Sequence, residues 1–292
     1  MSVIPSAGNG KVTVPSILER KSAVSAQNSS APKITCLTAY DYPTARLLDE
    51  AGVDILLVGD SLAMVVLGYE STLPVTLEEM LHHTRAVRRG THHALLVADM
   101  PYGSFHDDPM EAVRNAVRFV KEAGAEAVKV EGGERRMYLI ARLVEAEIPV
   151  MGHIGLTPQS ATILGGYKPQ GRSAQSARQL LDDAIALEGA GCFAIVLEAI
   201  PEPVARRITE ALRVPTIGIG AGASCDGQVL VWHDLLGLST GHVPQFVKRY
   251  AEAGDLILHA LQTYVADVRS GAFPERRHTY AMPADELEIF QN

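Results

Sequence analysis

Long apolar runs, clustered basic residues and metal-type cysteine motifs are all missing from this sequence of 292 residues. No run of roughly 18 apolar residues exists, so we expect no membrane-spanning helix. The formal charge is −8, from 26 Lys and Arg against 34 Asp and Glu, which argues against binding to nucleic acid. The N-terminus shows no secretory signal, and the three cysteines suit a reducing cytoplasm.

Composition divides the chain into three parts. Residues 1–31 are rich in Ser, Ala, Asn and Val without sustained periodicity, and we interpret them as a flexible N-terminal extension. A mitochondrial transit peptide is the alternative, which the single arginine of this segment, Arg20, disfavours. We predict that residues 32–272 form one catalytic domain. Residues 273–292 are polar and acidic, and we expect a C-terminal tail on the surface or on a neighbouring subunit.

From Lys33 onward, short apolar runs alternate with longer amphipathic patterns. Runs rich in Val, Ile and Leu are typical of parallel strands that are buried on both faces. Eight such units over about 240 residues predict an α/β fold, specifically a (β/α)8 TIM barrel. The predicted strands are 34–38, 55–60, 95–99, 127–131, 149–152, 194–198, 216–219 and 229–232, and a long amphipathic helix is predicted over 247–268. The last two strands are too close for a crossover helix, so a doubly wound open sheet remains the alternative.

Four of the apolar runs end in an acidic residue, namely Asp60, Asp99, Glu131 and Glu198. The carboxyl ends of the strands in such a barrel form one mouth, where active sites lie. Grouped carboxylates repel one another unless a cation or a shared proton compensates them. The pattern therefore predicts a metal site or a proton-transfer site. The alternative is that each acid caps the following helix or pairs with a surface arginine.

Lys129 and Glu131 lie two residues apart on one strand and therefore face the same side. Asp60, Asp99 and Glu131 carry three negative charges, which a divalent cation and Lys129 would balance. Oxygen ligands alone favour a hard cation such as Mg²⁺.

Two further side chains are candidates at the same mouth. The hydroxyl and backbone N–H of Ser61 could hold a substrate carboxylate, with a plain turn residue as the alternative. No Gly-x-Ser-x-Gly elbow surrounds Ser61, which argues against an acyl-transfer nucleophile. His153 follows the fifth run between glycines and could act as a ligand, an acid or a hydrogen-bond donor, or lie in the core.

Several motifs occur in a characteristic order. They are Leu37-Thr38-Ala39-Tyr40-Asp41, Val58-Gly59-Asp60-Ser61-Leu62, Ala98-Asp99-Met100-Pro101, Val128-Lys129-Val130-Glu131-Gly132-Gly133, Gly152-His153-Ile154-Gly155-Leu156-Thr157-Pro158-Gln159, Gly218-Ile219-Gly220-Ala221-Gly222 and Asp226-Gly227-Gln228. Together they closely resemble the ketopantoate hydroxymethyltransferase family over most of the chain, outside the first thirty or so residues.

The resemblance implies a Mg²⁺-dependent (β/α)8 barrel in the pantothenate pathway. Such an enzyme transfers a hydroxymethyl group from 5,10-methylenetetrahydrofolate to 3-methyl-2-oxobutanoate, through an enolate that Mg²⁺ stabilises, and gives 2-dehydropantoate. By matching motif, the implied metal ligands are Asp60, Asp99 and Glu131. The implied contacts to the keto acid are Asp60, Ser61, Asp99 and Lys129, to which we add His153. The implied proton acceptor is Glu198. Bacterial members are typically decamers, which implies a homo-oligomer here.

Three alternatives compete with this interpretation. Lys129 could form a Schiff base with the keto group. The barrel could instead belong to a carbon–carbon lyase related to isocitrate lyase or phosphoenolpyruvate mutase, which would not depend on folate. A catalytically inactive binding or assembly protein is the third alternative, and it would carry apolar or small residues at the mouth in place of the charged ones.

Overall fold

The computed structural model of this chain describes residues 10–25, 32–241 and 243–292. The strands are β1 Ile34–Thr38, β2 Ile55–Val58, β3 Leu95–Asp99, β4 Ala127–Glu131, β5 Val150–Gly155, β6 Ala194–Glu198, β7 Thr216–Ile219 and β8 Gly227–Leu230. The α-helices are α1 Val14–Ser25, α2 Tyr42–Glu50, α3 Leu62–Val65, α4 Leu77–Gly90, α5 Pro109–Ala123, α6 Met137–Glu145, α7 Ala161–Leu164, α8 Ala174–Gly189, α9 Glu202–Ala211, α10 Trp232–Leu235, α11 Ala253–Ser270 and α12 Ala284–Gln291.

The eight strands form a closed parallel barrel. Each strand pairs with the next along the chain, and β8 pairs with β1 to complete the circle. The predicted α/β fold, a (β/α)8 TIM barrel, is confirmed, and the open-sheet alternative is excluded. Only residues 220–226 connect β7 to β8, and they contain no helix.

The eighth strand begins two residues earlier than the sequence predicted. A Cβ atom on Gly227 would lie 2.5 Å from the backbone oxygen of Ile34, so only glycine allows β8 to approach β1 this closely. The strand therefore starts at Gly227, two residues ahead of the apolar run 229–232 that predicts it. Trp232 belongs to α10 instead.

Strand alternation divides the buried residues into two layers. Ile55 and Leu57 of β2 pack inside the barrel with residues from the other strands. Leu56 and Val58 of the same strand face outward and pack with residues of the surrounding helices. Because both faces are covered, the strand is apolar throughout, which is why the sequence signal was a continuous run.

Helix α1 covers the amino-terminal end of the barrel. Ile17 is fully buried among the interior strand residues. The Lys21 ammonium contacts Asp226 at 3.0 Å, and Arg20 donates to Asp54 at 2.9 Å; these two acids directly precede β8 and β2. Residues 14–25 are therefore a helix that packs on the barrel through Ile17, Arg20 and Lys21, which differs from the flexible extension that the sequence suggested. The other residues of that prediction, 1–9 and 26–31, lie outside the described residues.

The C-terminal segment is exposed. Helix α11 begins at Ala253 and not near residue 247, because the backbone N–H groups of Tyr250 and Ala253 donate to Leu235 and Leu236 of the α10 region. Residues 273–292 are exposed throughout and include α12. Within the three described ranges, every helix is too short or too polar to cross a bilayer.

Candidate active site

The predicted acids all lie at the carboxyl end of the barrel. Asp99, Glu131 and Glu198 are the last residues of β3, β4 and β6, and Asp60 lies two residues beyond β2. Lys129 points to the same side of β4 as Glu131. We refer to one group of side chains as the charged cluster: Asp60, Asp99, Lys129, Glu131, His153 and Glu198.

Contacts run through the charged cluster without a break. The backbone N–H of Asp60 donates to Asp99 Oδ2 at 3.3 Å, and Lys129 Nζ lies 2.7 Å from the same oxygen. Lys129 Nζ is also 3.6 Å from Glu131 Oε1. His153 then lies between two carboxylates, with Nδ1 3.3 Å from Glu131 Oε1 and Nε2 3.2 Å from Glu198 Oε2. The structure therefore brings all six predicted residues together.

His153 lies within β5, whereas the sequence predicted that it follows the strand. It pairs in register with Glu131 of β4 and Val196 of β6, so the strand continues past Gly152 because both neighbours supply ladder partners. Burial and the nearby Lys129 oppose its protonation. The Glu131 and Glu198 carboxylates outweigh them and raise the pKa of His153 to about 9. The imidazole is thus held protonated at neutral pH.

Burial makes the negative charge of the cluster costly. Burial, together with the Asp99 and Glu131 carboxylates, raises the pKa of Asp60 well above its usual range. Burial opposes the charge of Lys129 as well, but the surrounding carboxylates outweigh it and raise the pKa of this ammonium. Burial thus opposes the ionised form of Asp60, and a divalent cation beside it would favour that form.

Two oxygen atoms in and beside the charged cluster, Asp99 Oδ1 and Gln159 Oε1, are buried without a hydrogen-bond donor among the described residues. Buried acceptors normally have a partner. Mg²⁺ prefers ligands that are all oxygen atoms. However, the described part of the chain contains no group of three or more His, Cys, Asp or Glu side chains placed as a ready ligand shell. Mg²⁺ commonly binds through one or two carboxylates and completes its shell with substrate and water, so the donor set fits such an ion.

Ser61 lies at the start of α3, directly after Asp60. Its hydroxyl is 2.8 Å from the hydroxyl of Tyr40, which is buried and follows β1. A Cβ atom on Gly59 would lie 2.9 Å from Ser61 Oγ, so the glycine leaves the hydroxyl room. The sequence identified Ser61 but assigned no role to Tyr40.

Glu198 has a side chain that is 16% exposed, in contrast to the fully enclosed carboxylates beside it. It therefore faces the open mouth. Ala199, directly after it, has a left-handed backbone with φ of 48°, held by hydrogen bonds from Gln170 to its carbonyl and from its own N–H to Ile219. This left-handed residue directly follows the last residue of β6.

Gln159 is the functional candidate that the sequence reasoning missed. It is buried in the turn after β5, and its side-chain amide donates to Asp60 Oδ2 at 2.9 Å. Its backbone N–H donates to Glu131 Oε2 at 3.0 Å. The residue belongs to a motif that the sequence displays, but nothing local distinguishes a buried glutamine that orients carboxylates from one in a plain turn.

The fold and the charged cluster define a class: (β/α)8 barrel enzymes with carboxylates at the carboxyl ends of their strands. A crystal structure of phosphonopyruvate hydrolase in complex with oxalate and Mg²⁺ is similar to this chain, with a TM-score of 0.56 and 17% sequence identity. The match covers 93% of this chain and 94% of the hydrolase. At this identity the likeness shows the fold alone.

Sequence comparisons give the family. The model for "Ketopantoate hydroxymethyltransferase" matches residues 19–276. The 3-methyl-2-oxobutanoate hydroxymethyltransferase of Koribacter versatilis is 55% identical, over 100% of this chain and 98% of that protein. The enzyme of the same name from Oleidesulfovibrio alaskensis is 58% identical, over 87% of this chain and 88% of that protein. The chain belongs to the ketopantoate hydroxymethyltransferase family, and the resemblance seen in its motifs is confirmed.

Proposed function

We propose that this chain transfers a hydroxymethyl group to 3-methyl-2-oxobutanoate in pantothenate biosynthesis, with Mg²⁺ as cofactor and 5,10-methylenetetrahydrofolate as donor. Family membership and the names of the relatives support the acceptor. The observation that carries the proposal is the unbroken chain of contacts from Asp60 to Glu198 at the barrel mouth. The overall reaction also consumes one water and releases 2-dehydropantoate and tetrahydrofolate.

Asp60, Asp99 and Glu131 would hold the cation, directly or through water. Bound there, Mg²⁺ would supply positive charge for the oxygen of the keto acid that becomes an enolate oxygen. Lys129 supplies a second fixed positive charge beside Asp99. Ser61, whose hydroxyl is already held by Tyr40, would bind the substrate carboxylate.

Glu198 would accept the proton from C3 of the keto acid. Protonated His153 contacts Glu198 at 3.2 Å, so it would fix the orientation of the carboxylate for this role. On the other side the same imidazole contacts Glu131. His153 therefore links the base to the residues that would hold the cation.

Lys129 is poorly suited to the alternative Schiff-base mechanism. That reaction needs a neutral amine, whereas the Lys129 ammonium is buried 2.7 Å from Asp99 Oδ2. Borohydride reduction in the presence of keto acid should therefore leave no covalent adduct at Lys129. Product formation should also require the folate, which separates the transferase from a carbon–carbon lyase.

A homo-oligomer in the cytoplasm completes the proposal, and the family resemblance indicates a decamer. Helix α11 supports self-association, because Leu256, Leu261 and Tyr264 are each more than half exposed in the single chain. Apolar side chains in such numbers on one helix are typical of an interface. The division into a catalytic domain over 32–272 and a tail over 273–292 is part of the same proposal.

Proton exchange at C3 of the keto acid tests the site directly. In D₂O, we expect Glu198→Gln to bind 3-methyl-2-oxobutanoate within about threefold of wild type and to lose exchange by at least about 100-fold. Glu202→Gln, on the exposed first turn of α9, is the matched control. Removal of Mg²⁺ with EDTA should stop wild-type exchange and added Mg²⁺ should restore it. Undiminished exchange in Glu198→Gln would remove Glu198 from its role.

A further inference from the structure

Gln159 reaches three neighbouring strand ends from one position. It lies in the short turn Pro158–Ser160 that follows β5. Its side-chain Nε2 donates to Asp60 Oδ2 at 2.9 Å and to the backbone oxygen of Met100 at 3.0 Å. Its backbone N–H donates to Glu131 Oε2 at 3.0 Å. One residue thus orients two acids from different strands.

The orientation of the Gln159 amide is fixed by its partners. Asp60 Oδ2 and the Met100 carbonyl are both acceptors, so only the NH₂ group can face them. Both amide hydrogens are then used. The remaining atom, Oε1, is buried without a hydrogen-bond donor among the described residues, and an acceptor left in this state is costly unless something donates to it.

We infer that Gln159 is a positioning residue for the cation, because it holds Asp60 and Glu131 in place and offers Oε1 to a water molecule carried by the ion. This inference rests on the Mg²⁺ of the proposed function. Outer residues that orient metal ligands typically change metal affinity by 10- to 100-fold when they are replaced. A purely structural glutamine would change stability and leave metal affinity unaltered.

Metal binding without substrate separates these roles. Isothermal titration with Mg²⁺ is performed on the full-length wild type, on Gln159→Met and on Gln159→Asn, after circular dichroism and thermal melting have checked the fold. Gln159→Met keeps the length of the side chain and removes both donor and acceptor. Gln159→Asn keeps the amide but is one methylene too short to reach Asp60 and Met100 together. Gln170→Met is the matched control, since its side chain is only partly buried, lies outside the charged cluster and donates to the Lys168 carbonyl.

We expect both Gln159 variants to bind Mg²⁺ at least about 10-fold more weakly than wild type, and Gln170→Met to bind within about twofold. Folded Gln159 variants that keep wild-type affinity would overturn the inference and leave the proposed metal intact. Failure of both variants to fold would assign Gln159 to the structure and also overturn it. If the wild type does not bind Mg²⁺, the proposed metal is wrong, and this inference is wrong with it.

Discussion

At the scale of single residues, the buried hydroxyl of Tyr40 orients Ser61, the residue proposed to bind the substrate carboxylate. The phenol is enclosed, its ring stacks on His233 with centroids 5.4 Å apart, and its hydroxyl meets Ser61 Oγ at 2.8 Å. Because the ring is held on one side, the hydroxyl has little freedom. Ser61 is therefore oriented before any ligand arrives.

Replacing Tyr40 by phenylalanine should weaken binding of the keto acid while leaving the chemistry alone. The ring contacts remain, and the hydrogen bond between the Tyr40 and Ser61 hydroxyls is lost, a contribution of about 1 kcal/mol. We expect the KM for 3-methyl-2-oxobutanoate to rise about 3- to 10-fold with kcat within about threefold. Tyr42→Phe, at an exposed position on α2, is the control in steady-state kinetics. A fall in kcat as large as the predicted rise in KM would contradict a role in orienting Ser61 for substrate binding.

Lys129 should be a major determinant of stability as well as of charge balance. Its ammonium contacts Asp99 and Glu131 in a buried setting, and removing one partner of a buried ion pair costs about 3–5 kcal/mol. We expect Lys129→Met to lower the free energy of unfolding in urea by about that amount. Lys121→Met, on the exposed side of α5, should change it by less than about 0.5 kcal/mol.

At the scale of secondary-structure elements, Asp49 of α2 joins its helix to the start of β3. The buried carboxylate accepts backbone N–H groups from His93 and Ala94 at 2.9 and 2.8 Å. Burial opposes its charge, but these backbone hydrogen bonds outweigh burial and lower the pKa of Asp49. The carboxylate therefore stabilises the fold when it is ionised.

The stabilising effect of Asp49 should disappear in acid. Because its pKa is lower in the folded chain than in the unfolded chain, the contribution is complete above about pH 4 and is lost as pH falls through the folded pKa. We expect Asp49→Asn to lower the free energy of unfolding by about 1–3 kcal/mol at pH 7. The difference in free energy of unfolding between wild type and Asp49→Asn, measured by urea titration, should become smaller below pH 4. A gap that stays constant down to pH 2 would contradict this, and Asp182→Asn on the exposed side of α8 is the control.

The sequence predicted those elements whose signals are local. Strands β3, β4, β6 and β7 match their apolar runs because both faces are buried, and the acids that end three of these runs lie at the mouth as expected. The predicted start of β8 was two residues too late, because a glycine, and not an apolar side chain, allows β8 to approach β1 closely. Helix α1 was missed because its burial depends on contacts with residues far along the chain. The role of Gln159 depends on three strands meeting and has no local signature.

At the scale of the whole molecule, the two ends of the barrel differ in structure. The charged cluster occupies the carboxyl end, and α1 with its ion pairs to Asp54 and Asp226 closes the amino-terminal end. Helix α11 lies outside both, with an uncovered apolar surface. Changes in α11 should therefore affect assembly without altering the chemistry within a chain.

Leu261→Glu should reduce the size of the assembly. Leu261 is 57% exposed on α11 in the single chain, and a carboxylate there would have to be desolvated at an interface. We expect light scattering after size exclusion to show a smaller species than wild type, with far-ultraviolet circular dichroism unchanged. Glu288→Gln on α12 is the control. A wild-type chain that is monomeric at all concentrations would contradict the proposed oligomer.

The buried ammonium of Lys21 donates to the Thr209 carbonyl and to Asp226, partners 188 and 205 positions later in the chain. During synthesis on the ribosome, α1 is made well before these partners. The contact with Asp226 can form only after the chain has been made up to the start of the last strand. Docking of α1 through Lys21 therefore depends on synthesis of the barrel up to Asp226, so chains that terminate earlier lack this contact.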